Sequence, residues 1–144
     1  MSGPSIPDKR WSVDLEKRIQ EEHYDQGYED RYSFDSKSER EIFIIDTPPP
    51  YPSGTWHIGA VAQYSMIDVI ARSQRLLGKE VRFPWGVDRN GINIEFTVEK
   101  KFGRKMRTYD RFEFLKLCEE TIESYTQAMR DTAKRVGLSC DFEN

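Results

Sequence analysis

Residues 46–60 have the sequence DTPPPYPSGTWHIGA, and the fold follows from what surrounds this stretch. Its consecutive prolines lack the amide donors of a strand or helix interior, so the stretch is a stiff loop. Before it, residues 42–45 are β-branched and aromatic without alternation, which predicts a short strand buried on both faces. After it, apolar residues recur at helical spacing over residues 56–77, and Gly78 provides a helix end. The predicted order is strand, loop and long helix.

A second strand is predicted at residues 80–84, directly after that helix. Strand, helix and strand in this order predict a right-handed crossover, and therefore an α/β fold with a parallel sheet. Residues 86–91, GVDRNG, form the next turn, followed by a short helix over residues 94–102. Asp110 and Glu113 then make a capping box for a long helix that ends at Gly137. No terminating element is predicted beyond it.

The N-terminal part of the chain is predicted to precede this α/β unit as a tail, a helix that lies across a larger body, and a loop. Residues 1–11 are a tail, and Ser12 caps a largely solvated helix that carries Val13, Leu15, Ile19 and Tyr28. Residues 31–40 are rich in Ser, Asp and Lys, which indicates a loop. The expected division is therefore a tail and helix at 1–40 and the α/β unit at 41–144.

Composition limits the function classes. The 144 residues are 37% hydrophobic and 33% charged, with a net charge of -3, so no overall basic field indicates nucleic-acid binding. Any RNA contact has to be local. The two cysteines, Cys118 and Cys140, lack metal-ligand spacing, which favours a reducing cytoplasm over a disulfide framework or a zinc site. No apolar run reaches the ~20 residues that span a bilayer, so we expect no membrane association.

The two loops that follow the strands are the candidate site. In an open parallel sheet, ligands bind outside the carboxyl ends of the strands, where both loops lie. The first loop brings His57 and Gly59 into the first turn of a long helix, where free amides and the positive dipole end attract phosphate. His57 is suited to donate to a phosphate oxygen, and Gly59 lets a base or ribose approach closely.

These two motifs together resemble the class I aminoacyl-tRNA synthetases. Residues 46–60 resemble the Pro-rich segment and His-x-Gly-His motif that the enzymes for branched aliphatic amino acids place over ATP. Residues 86–91, followed by Glu95, resemble the loop whose aspartate holds the substrate ammonium. Two motifs in this order are more specific than either alone. The match is clearest over residues 42–103 and is strongest to the archaeal-type valine enzymes.

The resemblance implies a Rossmann-like, HIGH-type nucleotide-binding half-domain, ending before the editing insertion and the Lys-Met-Ser-Lys-Ser loop. It implies that His57 is catalytic and contacts ATP together with Gly59 and Ala60. It implies that Asp88 pairs with the substrate amino group, and that the amino-acid pocket is bordered by Pro49, Pro50 and Tyr51. No residue is assigned to a metal.

The activity implied by the resemblance is that of a cytoplasmic, monomeric valine-tRNA ligase, with ATP carrying Mg²⁺ and with valine and tRNA-Val as partners. An isoleucine enzyme is the nearest alternative, because the two pockets differ by about a methylene, worth only ~1 to 3 kcal/mol. A His-x-Gly-His nucleotidyltransferase is a further one. A last alternative is not an enzyme: the chain would be a truncation that binds a nucleotide or tRNA without catalysing a reaction.

The sequence departs from the family pattern in three places. Ala60 replaces the last histidine of the motif, Tyr51 stands where some valine enzymes have asparagine, and residues 104–107 only echo the second signature loop. One basic cluster has two interpretations, a solvated surface or a contact to tRNA or phosphate. It consists of Lys100, Lys101, Arg104, Lys105 and Arg107.

Overall fold

The computed structural model describes residues 10–25, 27 and 31–142. Its helices and strands, in chain order, are α1 (Val13–Asp25), β1 (Ile42–Ile44), α2 (Ile58–Leu76), β2 (Glu80–Arg82), α3 (Ile92–Phe102), a 3₁₀ turn (Met106–Thr108) and α4 (Arg111–Val136). Within these described ranges, none of the helices has the length and apolar character needed to cross a membrane. The predicted strand, helix and strand order is confirmed, while Tyr28 lies outside the described residues.

The sheet is parallel and has the two predicted strands, and one isolated parallel bridge, between Pro84 and Asp141, joins it to a segment that was not predicted. β1 pairs with β2 in register from Ile42 opposite Glu80 to Ile44 opposite Arg82. On the other side of β2, the Asp141 amide donates to the Phe83 carbonyl at 2.7 Å, and the Trp85 amide donates to the Asp141 carbonyl at 2.7 Å. We call residues 138–142 the third segment. It was not predicted because it is too short and too polar to give a strand signal.

The prediction that β1 is buried on both faces is wrong. Ile42 is 49% exposed and Ile44 is 59% exposed, whereas Ile45 is buried. The described part of the chain covers only one face of this strand, and β2 is the only strand paired with β1 there. Although residues 42–45 are all apolar, their side chains alternate between solvent and core, and Phe43 and Ile45 face the core.

The predicted helix is confirmed as α2, but the face of α2 that is buried is not the face that carries most of its apolar residues. Its buried residues are Tyr64, Asp68 and Ala71, one turn apart along one side. The apolar residues that gave the helical period lie largely outside the core, among them Ile58, Met66, Val69, Ile70 and Leu76. Spacing thus predicted the type of element correctly and did not indicate which face would be covered.

The buried apolar residues form two hydrophobic cores. The first joins β1, β2, α2 and the end of α4, through Ile45, Tyr64, Ala71, Val81, Phe83, Ala133, Leu138 and Cys140. The second lies between α3 and α4 and contains Ile94, Val98, Phe114, Cys118 and Ile122. The predicted capping box of α4 is confirmed for Asp110, whose carboxylate accepts from the Phe112 and Glu113 amides at 2.9 and 3.3 Å, whereas the Glu113 carboxylate lies 4.0 Å from Arg104.

A buried carboxylate ties α2 to the third segment. Asp68 is 7% exposed, and its Oδ1 accepts from both the amide, at 2.8 Å, and the hydroxyl of Ser139. Its Oδ2 accepts from Arg72 Nε at 2.7 Å. Arg75 donates to the Ser139 carbonyl at 2.8 Å from the same side. Because buried polar groups are stable only when paired, this network fixes where the third segment lies.

Replacing Asp68 should destabilise the protein markedly. In Asp68→Ala the buried amide and hydroxyl of Ser139 lose their acceptor, so the free energy of unfolding should fall by at least about 2 kcal/mol. Urea denaturation followed by circular dichroism measures this. Asp131→Ala, at an exposed position of α4, is the matched control and should change stability by less than about 0.5 kcal/mol. Equal effects of the two substitutions would contradict the assigned role.

Cys140 should make stability fall at alkaline pH. Burial raises the pKa of its thiol from 9.0 to about 12. The unfolded chain therefore loses this proton near pH 9 while the folded chain retains it, so stability is lost as pH rises from 9 towards about 12. The slope from this group is about 1.4 kcal/mol per pH unit. Denaturation at a series of pH values should show that slope in the native protein and its loss in Cys140→Ala.

Candidate functional site

The two loops predicted to form the site lie against each other. The loop at residues 47–54 follows β1, and the loop at residues 86–91 follows β2, so both leave the same edge of the sheet. The Asp88 amide donates a hydrogen bond to the Pro50 carbonyl oxygen at 2.9 Å. Residues far apart in the sequence are thereby joined at the carboxyl ends of neighbouring parallel strands, where such sheets bind ligands.

A small apolar cavity opens between the loops. Its volume is about 200 Å³, and its walls are Thr47, Pro49, Pro50, Tyr64, Phe83, Pro84, Trp85, Gly86 and Leu138. Two residues predicted for the amino-acid pocket, Pro49 and Pro50, line it. Tyr51, the third, lines a different groove beside α3, and Asp88 is not among the lining residues. The cavity offers aliphatic and aromatic surface and no charged side chain.

His57 is the N-cap of α2, and its ring is held by the helix itself. Its backbone is extended at φ -87 and ψ 165, and its Nδ1 accepts from the Gly59 and Ala60 amides at 3.1 and 3.4 Å. Nδ1 therefore carries no proton, and in the neutral ring the proton is on Nε2. Nε2 has no partner among the described residues. Two of the amides that were expected to be free at the start of α2, those of Gly59 and Ala60, are therefore bonded to His57. The exposed donor at this position is instead the Nε2–H of the His57 ring.

Gly59 makes this arrangement possible. A Cβ at this position would lie 3.0 Å from both Cε1 and Nδ1 of His57, closer than carbon atoms normally approach. A side chain at residue 59 would therefore press on the histidine ring in its present position, and glycine avoids this contact. The His-x-Gly spacing was the sequence signal, and the structure adds that the two residues act as one unit.

Aromatic rings support the loop from beneath. Trp56 stacks on Tyr64 with ring centroids 4.7 Å apart and contacts Trp85 at 5.4 Å, and Trp85 contacts Phe142 at 5.5 Å. The Tyr64 hydroxyl donates to the Pro48 carbonyl at 3.3 Å. Burial raises the pKa of Tyr64, so this donor keeps its proton. No sequence pattern indicated that Tyr64 holds the loop.

Asp88 has one oxygen committed and one available. Its Oδ1 accepts from the Asn90 amide at 3.0 Å, the pattern of a local turn. Oδ2 has no partner among the described residues. The neighbouring Arg89 is directed elsewhere and pairs with Glu123 at 2.8 Å, so it does not neutralise the carboxylate. The turn role and a charge-binding role are therefore compatible.

The described residues contain no group of three or more His, Cys, Asp or Glu side chains arranged to hold a metal ion. The arrangement instead offers one imidazole N–H at a helix start, one carboxylate oxygen and a small apolar cavity. These are groups that bind a phosphate, an ammonium and an aliphatic side chain respectively.

Comparison with known proteins gives a consistent result. The family model for tRNA synthetases class I (I, L, M and V) matches residues 18–144. A valine-tRNA ligase from Archaeoglobus fulgidus is 46% identical over 114 residues, which are 79% of this chain and 13% of that protein. One from Aeropyrum pernix is 38% identical over 144 residues, covering 96% of this chain and 17% of the relative.

A solved structure shares the fold. It is a ternary complex of LeuRS, tRNA and LeuAMS from Agrobacterium radiobacter, with a TM-score of 0.68 and 25% identity over 88% of this chain and 14% of that one. The chain thus spans a small part of the length of its relatives. Since the family match covers residues 18–144, the chain belongs to the class I tRNA synthetases of the I, L, M and V group.

Proposed function

We propose that this chain provides the ATP- and amino-acid-binding loops of a valine-tRNA ligase, which activates valine with ATP and transfers it to tRNA-Val. The observation that carries the proposal is the joining of the two loops, through Asp88 and Pro50, at the start of α2. A nucleotide held at that helix start and an amino acid held at the second loop would meet between them.

Such a site first has to bind the phosphates of ATP. The ring of His57 is fixed through Nδ1, so its Nε2–H points to a defined place without the entropy cost of ordering a free side chain. Ala60 in place of the last motif histidine leaves a methyl group there, and its amide is engaged by His57. His57 is thus the side-chain phosphate donor that this part of the chain supplies.

The second requirement is a hold on the amino acid. We assign the free Asp88 oxygen to the α-ammonium and the cavity bordered by Pro49 and Pro50 to the side chain. The valine carboxylate would form a bond to the α-phosphorus while the bond to pyrophosphate breaks, giving an aminoacyl-adenylate. The carboxylate is already an anion, so no protein nucleophile or base is needed, and alignment with charge stabilisation is the task of the residues.

The preference for valine rests on the relatives. The curated proteins given above are named valine-tRNA ligases, whereas the matching family also contains enzymes for other aliphatic amino acids. A cavity of about 200 Å³ with apolar walls suits a small branched side chain. Tyr51 lies away from this cavity and is a weaker candidate for the amino-acid contact than Pro49 and Pro50.

Substitutions of His57 should separate its two roles. Asparagine is a good N-cap but has no N–H in the place of Nε2, so His57→Asn should keep the stability and weaken binding of a non-hydrolysable ATP analogue by about tenfold. His57→Ala should also lower the free energy of unfolding by about 1 kcal/mol. Calorimetric titration and urea denaturation measure the two effects. Unaltered ATP-analogue binding in His57→Asn would refute the phosphate contact.

The identity of the amino acid is tested by exchange of labelled pyrophosphate into ATP. We expect exchange that depends on valine and is about tenfold or more slower with isoleucine, since an extra methylene has to fit the same cavity. Stronger dependence on isoleucine would refute the valine assignment. Binding of the ATP analogue with no exchange for either amino acid would support a nucleotide-binding role without activation.

A further inference from the structure

The loop that carries Asp88 is tied to α4 by an ion pair. Arg89 Nη2 donates to Glu123 Oε2 at 2.8 Å, although the two residues are 34 positions apart. Both side chains are partly exposed, that of Arg89 at 47% and that of Glu123 at 65%. Such a pair adds little to the stability of a protein, because water screens the two charges. Stability alone therefore does not explain why the arginine is directed to α4.

Arg89 follows directly after the residue that we assign to the substrate ammonium. Asp88 has one carboxylate oxygen bonded to the Asn90 amide, and its Oδ2 has no partner among the described residues. Consecutive Cα atoms are about 3.8 Å apart, which is less than the length of an extended arginine side chain. A guanidinium carries a permanent charge and five donors, and carboxylates are its usual partners. The carboxylates of Asp88 and Glu123 therefore compete for Arg89.

An arginine paired with Asp88 would oppose the binding of an amino acid. The guanidinium and the substrate ammonium are both cations that donate hydrogen bonds and accept none, so they would need the same carboxylate oxygen. A neighbouring positive charge also weakens the attraction of a carboxylate for a second cation. The structure avoids this conflict, because Glu123 holds Arg89 on the side of α4.

We infer that Glu123 is a positioning residue for amino-acid binding, because it retains Arg89 and so leaves Asp88 available to the α-ammonium. The inference rests on the proposed function for the identity of that cation. It extends the proposal by assigning a role to α4, a helix that contributes no residue to either loop of the candidate site. Since Glu123 acts on the ligand only through Arg89, removing both side chains should leave the site open.

A second acidic side chain on α4 provides the matched control. Glu119 lines the same groove as Arg89 and lies one helical turn before Glu123. Glu119→Gln therefore removes the same charge from the same helix, while the ion pair of Arg89 remains. Glu95 of α3 also lines this groove, so a released arginine has acceptors other than Asp88. If it moved to one of them, Glu123→Gln would leave amino-acid binding unchanged and the inference would be wrong.

The test is an NMR titration of the 144-residue chain and its variants with L-valine. Glu123→Gln should weaken valine binding by about fivefold, the upper range for an exposed ion pair. Glu119→Gln and Arg89→Gln should bind valine like the native chain. The double variant, Arg89→Gln with Glu123→Gln, should recover native binding. A purely structural role of the ion pair would not give this recovery, because the double variant lacks the pair as well.

A ligand without the ammonium gives a further control. The anion 3-methylbutanoate has the carboxylate and the branched chain of valine but no amino group, so its binding should not weaken in Glu123→Gln. Equal losses of valine binding in Glu119→Gln and Glu123→Gln would overturn the inference. So would a double variant that binds valine as weakly as Glu123→Gln does.

A second measurement needs no ligand and separates the two proposals. The carboxyl-carbon NMR resonance of Asp88, identified by its loss in Asp88→Asn, should shift in Glu123→Gln and return in the double variant. An unchanged resonance would overturn the inference. If the resonance moves as expected but the native chain binds no valine, Glu123 still controls Arg89 and the proposed function fails. If every variant binds valine like the native chain, the proposed function stands and the role of Glu123 fails.

Discussion

The Pro-rich loop at residues 47–54 has carbonyl oxygens but lacks half of the amide donors that would hold it, because four of its eight residues are prolines and proline has no N–H. Its position therefore depends on donors from other parts of the chain. The Asp88 amide reaches the Pro50 carbonyl, and the Tyr64 hydroxyl reaches the Pro48 carbonyl. The loop is in this way attached both to the second strand's loop and to the first helix of the crossover. These two bonds fix the middle of the loop, while His57 at its end is held by the amides of Gly59 and Ala60.

The sequence predicted the parts of the fold that depend on local patterns. Proline placement, helical spacing and the caps at Asp110 and Gly137 located the loop, α2 and α4 correctly. The sequence did not predict the features of the fold that depend on contacts between residues far apart in the chain. The third segment pairs with Pro84 through a bridge that no local sequence pattern predicts. Ile42 and Ile44 are exposed because the described part of the chain covers only one face of β1. Whether a side chain is buried depends on the whole folded chain, whereas hydrophobic periodicity only indicates the type of a single helix or strand.

The candidate site was predictable to the same degree. His57, Gly59 and Asp88 were identified from motif spacing, and the structure puts their loops together. The use of His57 Nδ1 as a helix cap was not predictable, since it depends on a ring orientation that Gly59 permits. The separation of Tyr51 from Pro49 and Pro50 was also hidden, because neighbouring residues in a stiff extended loop point in different directions. Spacing identified the groups, and packing decided which cavity each one faces.

The pairing of Asp68 with Ser139 joins residues separated by 71 positions. A ribosome delivers the chain from its amino end, so the loop, the histidine and both strands emerge before the third segment, which bridges to Pro84. Until that segment arrives, Asp68 pairs with Arg72 on the side of α2 and lacks the amide and the hydroxyl of Ser139. Contacts of such long sequence separation form late, because the intervening chain must first be ordered. During synthesis we therefore expect the end of this unit that carries His57 to form its local turns first and to become rigid only when residues 138–142 are in place.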